Sequence, residues 1–227
     1  MQQLARRAVA EALGTALLIV AVIGSGIMAT RLTDDVAIQL LANSIATGGA
    51  LVALILTFGA VSGAHFNPAV SITAGLLNEL KWRDVGVFAV AQTVGGCVGA
   101  IAANVMFELD AVNLSQRDRS TGALWFSEVL ATFGLLLVIY GIARSGRAAV
   151  VPFAVAAWIV GAYWFTSSTS FANPAVTVAR MLSATFAGIA PGSAPMFIVM
   201  QLLGVAAAFA VIRLLWPTAE ASAETSR

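Results

Sequence analysis

The stretch GAHFNPAVSI, residues 63–72, decides the fold of this chain because the core of the motif is repeated in SFANPAVTVA, residues 170–179. The two asparagines, Asn67 and Asn173, lie 106 residues apart (173 minus 67), each within an apolar tract. Asparagine is a favoured helix N-cap, and proline at the first helical position loses no hydrogen bond. Each copy therefore predicts the start of a helix. The residues of the two starts are Asn67, Pro68, Ala69, Asn173, Pro174 and Ala175.

The composition places this chain in a membrane. Its 227 residues are 59% hydrophobic and only 10% charged, whereas soluble domains average about 25% charged residues. No polar linker divides the chain, so we expect a single domain over residues 1–227. The net charge of +1 provides no basic patch and argues against a nucleic-acid partner. The first apolar run continues to Thr30, beyond the length of a signal peptide, and predicts a retained span.

Two apolar runs are too long to be single spans. Residues 36–78 carry no charge, and residues 148–212 carry only Arg180, whereas a membrane-spanning helix needs about 20 residues. Each long run contains one Asn-Pro-Ala motif. Either these runs hold extra full spans, or each holds one span and one segment that enters the membrane and turns back.

The positive charges favour the second arrangement. With six spans and a cytoplasmic N-terminus, eight of the 12 Lys and Arg residues face the cytoplasm; with two further spans the split becomes six to six. Cytoplasmic loops carry an excess of Lys and Arg, so we predict six spans and two re-entrant segments. The eight residues are Arg6, Arg7, Lys81, Arg83, Arg144, Arg147, Arg213 and Arg227.

Further motifs extend the repeat. EALGT at residues 11–15 matches EVLAT at 128–132, and QTVG at 92–95 matches QLLG at 201–204. The repeats cover about residues 5–107 and 122–216, with three spans each. An odd number of spans forces the halves into opposite orientations. The predicted fold class is an all-α membrane protein with six transmembrane helices, two re-entrant half-helices and an inverted internal repeat.

The segments before the two half-helices are expected to form a pore wall. Non-helical backbone inside a membrane survives only where it is buried or lines a wet cavity. The half-helices would face each other with the positive ends of their dipoles, and the backbone before them would offer carbonyls to a passing solute. The carbonyl residues are Gly63, Ala64, His65, Phe66, Thr169, Phe171 and Ala172.

On the motifs SGAHFNPAV at 62–70, the second Asn-Pro-Ala, both opening glutamates and both Gln-x-x-Gly elements, the chain resembles the aquaporin, or major intrinsic protein, family. The resemblance implies a homotetramer with one pore per subunit and passive permeation of small neutral solutes and water. It implies that Glu11 and Glu128 accept hydrogen bonds from the re-entrant loops, and that the amides of Asn67 and Asn173 donate to the solute. It implies no cofactor and no metal. We expect a plasma (inner) membrane location with both termini in the cytoplasm.

The resemblance also identifies four selectivity-filter positions, which here are Thr47, Gly161, Ser170 and Val176. Water-selective members carry an aromatic residue, His and Arg in place of the first, second and fourth, and glycerol channels keep the Arg. This chain lacks both the aromatic residue and the Arg, so we expect a wide, weakly polar filter. In this it resembles a bacterial branch associated with arsenic resistance. The implied solutes are glycerol-like polyols, metalloid hydroxides such as arsenite in its neutral acid form, and water.

Alternatives remain for the class of protein and for the roles of His65 and Arg180. Inverted repeats with broken helices also occur in ion-coupled secondary transporters, although the buried acids Glu11 and Glu128 fit a structural role. His65 is the only histidine and has no catalytic partner pattern, so we do not expect an enzyme. Arg180 shares a helix face with Asn173 and Val176. We expect it either in a water-filled outer vestibule or in a structural role, as a cap at the half-helix end or in contact with lipid headgroups.

Overall fold

The computed structural model describes residues 2–217, and within them six helices are long and apolar enough to cross a membrane. This confirms the six predicted spans. Arg227, one of the eight charges assigned to the cytoplasm, lies outside the described residues. The α-helices, in chain order, are α1 Gln2–Leu32, α2 Val36–Ser62, α3 Pro68–Leu76, α4 Trp82–Met106, α5 Gly122–Arg144, α6 Val151–Phe165, α7 Pro174–Arg180 and α8 Ala194–Leu215. A 3-10 turn, Ala148–Val150, leads directly into α6, so that the fifth span covers the 18 residues Ala148–Phe165.

The two short helices α3 and α7 begin where the sequence predicts. The side-chain oxygen of Asn67 accepts from the Ala69 N–H at 2.8 Å, and that of Asn173 accepts from Ala175 at 3.0 Å. With nine and seven residues, the helices are roughly 14 and 10 Å long at about 1.5 Å per residue. The hydrocarbon core is about 30 Å thick, so both are half-helices, and the predicted fold class is confirmed.

Glycines let the long helices cross at close range inside each half. A Cβ atom on Gly95 or Gly99 of α4 would overlap the backbone of Ala12 or Ala16 on α1. In the second half, a Cβ on Gly204 of α8 would lie 2.8 Å from the Val129 carbonyl oxygen on α5. This close packing of small residues is typical of membrane helices. It draws α1 and α5 into the centre of the bundle.

The connections after α4 and α7 pack against each other at one end of the molecule. The Ser183 hydroxyl donates to the Asn104 side chain at 2.7 Å, and Arg117 donates to the Phe186 carbonyl at 2.6 Å. Asp118 accepts from Ser120 and from Ser193, and these two hydrogen bonds lower its pKa. The loop between α4 and α5 is therefore held over the end of α7.

The exterior is apolar along stripes of helical spacing. On α4, Val90, Val94 and Val98 follow one another at intervals of four residues and are all exposed. Residues four apart lie on one helix face. This face suits a lipid or another apolar surface rather than water.

Candidate functional site

A cavity of about 250 Å³ passes between the two halves of the repeat. Asn67 and Asn173 both line it, Arg180 lies at one end, and Arg144 lies at the other. We call these the Arg180 end and the Arg144 end. Its wall is largely apolar, and the apolar lining includes Leu18, Val22, Leu51, Ile55, Val70, Leu135, Ile139, Val155 and Ile159.

Glu11 holds the loop that leads into α3. Its carboxylate accepts from the backbone N–H groups of His65 at 3.0 Å and Phe66 at 2.6 Å. It also accepts from the Ser62 hydroxyl at 2.6 Å and the Gln92 amide at 2.8 Å. A fully buried carboxylate is costly unless its oxygens are satisfied, and these four donors meet that need. Glu11 therefore acts as an internal anchor for the loop.

Glu128 does the same for the loop that leads into α7. It accepts from the N–H groups of Phe171 and Ala172, both at 2.9 Å, and from the Gln201 amide at 2.6 Å. The glutamates and glutamines of the two repeats thus make equivalent contacts, as the inverted repeat requires.

Both loops use left-handed backbone at equivalent positions. Ala64 and Phe66 have φ of 50° and 49°, and Ser170 and Ala172 have φ of 51° and 49°. Non-glycine residues adopt this region at a cost on the order of 1–3 kcal/mol each. In this conformation two consecutive N–H groups of each loop point toward one carboxylate, and the hydrogen bonds they make to it offset the cost of the strain.

The two asparagines connect the halves of the repeat. The Asn67 side-chain N–H donates to the Ala172 carbonyl at 2.7 Å, and the Asn173 side-chain N–H donates to the Phe66 carbonyl at 2.8 Å. A side-chain amide has two N–H donors, so each asparagine keeps a second N–H beyond this cross-link. Both residues line the cavity.

Most of the predicted carbonyl residues reach the cavity, and two do not. Thr169 and Ala172 are absent from its wall; Ala172 is fully buried, and its carbonyl accepts from Asn67. His65 lines the cavity while its Nδ1 lies 3.0 Å from the Ser71 hydroxyl. The residues of this set that line the cavity are Gly63, Ala64, His65, Phe66 and Phe171.

Three of the four expected filter residues lie together, and the fourth does not. Thr47, Ser170 and Val176 line the cavity, whereas Gly161 does not, and a Cβ there would contact only Phe165, at 3.4 Å. The expected position of Gly161 depends on a count of twelve residues back from Asn173 across the loop before α7, and such a count does not fix which face of α6 turns toward the cavity. The face of α6 that lines the cavity carries Val151, Val155, Ile159 and Tyr163.

Tyr163 is the residue that sequence reasoning missed at this end. Its hydroxyl lies 3.2 Å from that of Thr47 and lines the same cavity. The four-residue spacing of Val155, Ile159 and Tyr163 was visible in the sequence and is the signal that would have identified it. Two aromatic residues therefore line the cavity toward the Arg180 end, Tyr163 on α6 and Phe171 on the loop before α7, and neither lies on α2.

Arg180 is buried, so of the two alternatives for this residue the structure does not show the one that places it in open water. Only 2% of its surface is exposed, and its Nε donates to the Ala187 carbonyl. The guanidinium carbon lies 3.4 Å from the centroid of the Phe171 ring, a cation–π contact. Arg180 still lines the cavity, so a cation is present at this end, one helical turn beyond Val176.

Comparisons with known proteins agree with this architecture. The family model described as Major intrinsic protein matches residues 1–168, which is most of the chain. This chain belongs to the major intrinsic protein family. The family consists of membrane channels, so the chain is an integral membrane channel and not an enzyme, as its resemblance implied.

Relatives of this major intrinsic protein include a bacterial protein of nearly equal length. The chain is 49% identical over 224 residues to the aquaglyceroporin AqpS of Rhizobium meliloti, covering 98% of this chain and 96% of that protein. It is 32% identical over 152 residues to the aquaporin NIP1-2 of Arabidopsis thaliana, covering 63% of this chain and 51% of the plant protein. The X-ray structure of the aquaglyceroporin from Plasmodium falciparum shares the fold, with a TM-score of 0.72, 21% identity and coverage of 99% and 100%.

The Arg144 end of this channel carries an ion pair that the sequence did not reveal. Arg144 lies 3.4 Å from the Glu79 carboxylate and donates to the Trp216 carbonyl at 2.6 Å. Both Arg144 and Glu79 line the cavity. In the first repeat, Arg31 donates similarly to the carbonyl of Phe107, but Arg31 does not line the cavity. The two ends of the channel therefore differ. The arginine at the Arg144 end is paired with a carboxylate, whereas Arg180 has no such pair among the described residues.

Proposed function

We propose that this channel passively conducts glycerol-sized polyols, neutral metalloid hydroxides such as arsenous acid, and water. The observation that carries the proposal is the cavity that passes between Asn67 and Asn173. Its wall gives a solute a few hydrogen-bond partners on an otherwise apolar surface. On such a surface a solute replaces its hydrating water by a series of weak hydrogen bonds to the wall. Permeation requires that each of these contacts be weak enough for the solute to leave.

The filter composition favours solutes larger than water. Thr47, Ser170 and Val176 are small or medium-sized side chains at the Arg180 end. Val176 contributes neither a charge nor a donor where the resemblance would place an arginine. We infer a filter wide enough for a polyol or a metalloid hydroxide. The similarity to a relative named an aquaglyceroporin supports this assignment.

Exclusion of cations follows from the two half-helices. The N-caps of α3 and α7, Asn67 and Asn173, both line the cavity. A helix N-terminus is equivalent to roughly half a positive charge, so a cation meets two such charges. The free amide N–H of each asparagine is proposed to donate to the solute oxygen, while loop carbonyls accept.

We propose a plasma-membrane location with both termini in the cytoplasm, so that the Arg144 end faces the cytoplasm. The excess of positive charge on that side supports this orientation. Labelling of single introduced cysteines in a Cys97→Ser background would test it: Arg147→Cys should react only after the membrane is permeabilised, and Gln116→Cys in intact cells. Both positions are exposed. Reversed labelling would overturn the orientation.

We also propose a homotetramer with one pore in each subunit. The exposed apolar stripe of Val90, Val94 and Val98 supports burial against lipid or a second subunit. Mass spectrometry of the protein released from detergent would count the subunits. A monomer at every detergent concentration at which native lipid stays bound would overturn the proposal.

Stopped-flow light scattering of proteoliposomes tests the conducted solutes. Vesicles with purified protein are exposed to gradients of an impermeant sugar, glycerol or arsenite, with protein-free vesicles as the control. We expect faster water, glycerol and arsenite equilibration in the protein-containing vesicles, linear in the gradient. Flux that saturates and follows an imposed ion gradient would instead indicate a coupled transporter and overturn the proposal.

A further inference from the structure

The guanidinium of Arg180 has donors that nothing in the described chain accepts. The side chain is 98% buried (2% exposed) and lines the cavity. An arginine carries five N–H donors, and the protein partner found for this one is the Ala187 carbonyl, which binds Nε. Its two terminal nitrogens therefore have no acceptor among the described residues, although the side chain forms part of the cavity wall.

The charge of Arg180 is also unpaired within residues 2–217. The ion pairs found there involve Arg7, Arg83 and Arg144. The carboxylate of Glu128 is occupied by the loop N–H groups of Phe171 and Ala172 and by Gln201. Buried charges are usually paired because an unpaired one loses its hydration. Arg180 thus lacks a counter-charge.

A second arginine increases the positive charge beside it. The guanidinium carbon of Arg119 lies 4.9 Å from the centroid of the Phe171 ring, the same ring that Arg180 contacts. Burial, and then the charges of Arg180 and Arg117, lower the pKa of Arg119. Arg119 is already committed to the carbonyls of Gly188 and Ser168. Arg180 is therefore the member of this pair that can bind a ligand.

Hydroxyl groups lie at the same end of the cavity. The Ser170 hydroxyl is buried and has no hydrogen-bond partner, and Ser170 lines the cavity. The hydroxyls of Thr47 and Tyr163 form a pair on the same wall. A planar guanidinium with a neighbouring hydroxyl is a donor set suited to a small ligand with two or three oxygens.

We propose that the Arg180 end of the pore is a binding subsite for small monovalent oxyanions, centred on the two terminal nitrogens of Arg180. The inference rests on the proposed function, since the subsite lies within the pore. The anion would be bound bidentately by the planar fork. Among the described residues, Arg180 is the one cationic side chain of the cavity wall at this end, since Arg144 lies at the other end. The bound anion stays at the subsite and competes with neutral solutes for the lumen.

Glycerol flux in the presence of formate tests the subsite. Formate is the smallest carboxylate; it is present at equal concentration on both sides of the vesicle membrane, so that protein orientation does not matter. Ionic strength is held constant with gluconate, an anion too bulky for the pore. We expect formate to slow glycerol flux in a saturable manner in the parent protein. In Arg180→Gln, the formate concentration that halves the flux should rise about tenfold or more, as expected for the loss of a charge-assisted contact.

Matched variants separate the subsite from general effects of charge. Arg31→Gln removes an exposed cation that does not line the cavity, and its sensitivity to formate should equal that of the parent. Arg180→Lys keeps the charge without the planar fork, and its sensitivity should lie between the two. Equal sensitivity in the parent and Arg180→Gln would overturn the subsite, as would glycerol flux that formate leaves unchanged.

Two further results keep the test decisive. If the parent protein conducts no glycerol above protein-free vesicles, it is the proposed function that fails. If Arg180→Gln does not fold, thermal unfolding of the parent and of Arg180→Lys in detergent replaces the flux assay. Formate should then raise the unfolding temperature of the parent relative to gluconate, and by less for the Lys variant. No difference between the two anions would overturn the subsite.

Discussion

Asn67 and Asn173 each donate a side-chain hydrogen bond to the carbonyl of the residue that precedes the other, at 2.7 and 2.8 Å. The oxygen of each amide caps its own half-helix at the same time. These contacts determine the orientation of both amides, with oxygen toward the helix that follows and nitrogen toward the opposite half. The two re-entrant segments therefore form one structural unit across the centre of the pore.

Replacing either asparagine by aspartate should weaken this unit. In Asn67→Asp or Asn173→Asp the side chain still caps its helix, but it no longer donates to the opposite carbonyl and adds a negative charge. We expect a loss of roughly 1–3 kcal/mol in stability and a larger cation leak, because the carboxylate offsets the two helix dipoles. Thermal unfolding in detergent and a pH-sensitive dye in proteoliposomes would measure these effects. Asn78→Asp, at an exposed position, is the control; variants that melt and exclude cations like the parent would contradict the prediction.

Placing an arginine at position 176 should narrow the pore. Val176 lines the cavity beside Thr47 and Ser170, and Val176→Arg adds bulk and a second cation near Arg180. We expect glycerol and arsenite flux to fall by about tenfold or more, equivalent to a barrier of roughly 1.4 kcal/mol, while water flux falls less. Val176→Met adds length without charge and separates the two causes. Unchanged glycerol flux in a correctly inserted Arg variant would remove Val176 from the filter.

Neutralising Glu11 should loosen the first re-entrant loop. Glu11→Gln retains one side-chain oxygen but turns an amide group toward N–H donors, so at least one of the four present contacts is lost. Hydrogen bonds to charged groups contribute about 1.5–3 kcal/mol each, and we expect a drop in unfolding temperature together with slower water flux. Glu79→Gln, which removes a half-exposed carboxylate at the Arg144 end, is the matched control for stability. Equal melting of the two variants would argue against an anchoring role for Glu11.

Enlarging Gly99 should separate α1 from α4. A side chain at this position overlaps the backbone of Ala16, and backbone atoms cannot move aside as a flexible side chain can. We expect Gly99→Leu to cost on the order of 1–3 kcal/mol and to reduce the yield of folded protein. Gly86→Leu on the same helix, where a Cβ meets nothing within 4 Å, should have little effect. Unfolding of both membrane-inserted variants in detergent makes the comparison. A similar loss of stability in the two variants would indicate that α1 and α4 are not tightly packed at Gly99.

The sequence predicted the parts of this molecule that depend on local patterns. The Asn-Pro-Ala repeats, the charge distribution and the long apolar runs gave six spans and two half-helices, because caps, span lengths and charge bias act over short stretches. The glutamate contacts were expected only from the family resemblance, and they are present in the structure. Each of these patterns depends on residues that are close together in the sequence.

The features that the sequence did not reveal depend on rotation and distance. Gly161 and Tyr163 are only two residues apart, yet only Tyr163 lines the cavity, because the phase of α6 relative to the loop cannot be counted from Asn173. The ion pair of Arg144 and Glu79 joins positions 65 residues apart and requires the complete bundle. Arg180 lines the cavity with Asn173 and Val176, as their shared helix face predicts, but its burial depends on Phe171 and Ala187 in the loops on either side of α7, whose paths the helix spacing does not give.

The reciprocal bonds of Asn67 and Asn173 also bear on the order in which the protein is made. Asn67 leaves the ribosome 105 residues before its acceptor Ala172. At about 5–20 residues per second, the delay is roughly 5–20 s. During this interval the first half-helix has its cap but lacks its partner, and the Phe66 carbonyl has no amide to bind. The wall of the pore can therefore be completed only after the second half has been inserted. Biogenesis of this channel must include a late step in which the two halves dock against each other in the bilayer.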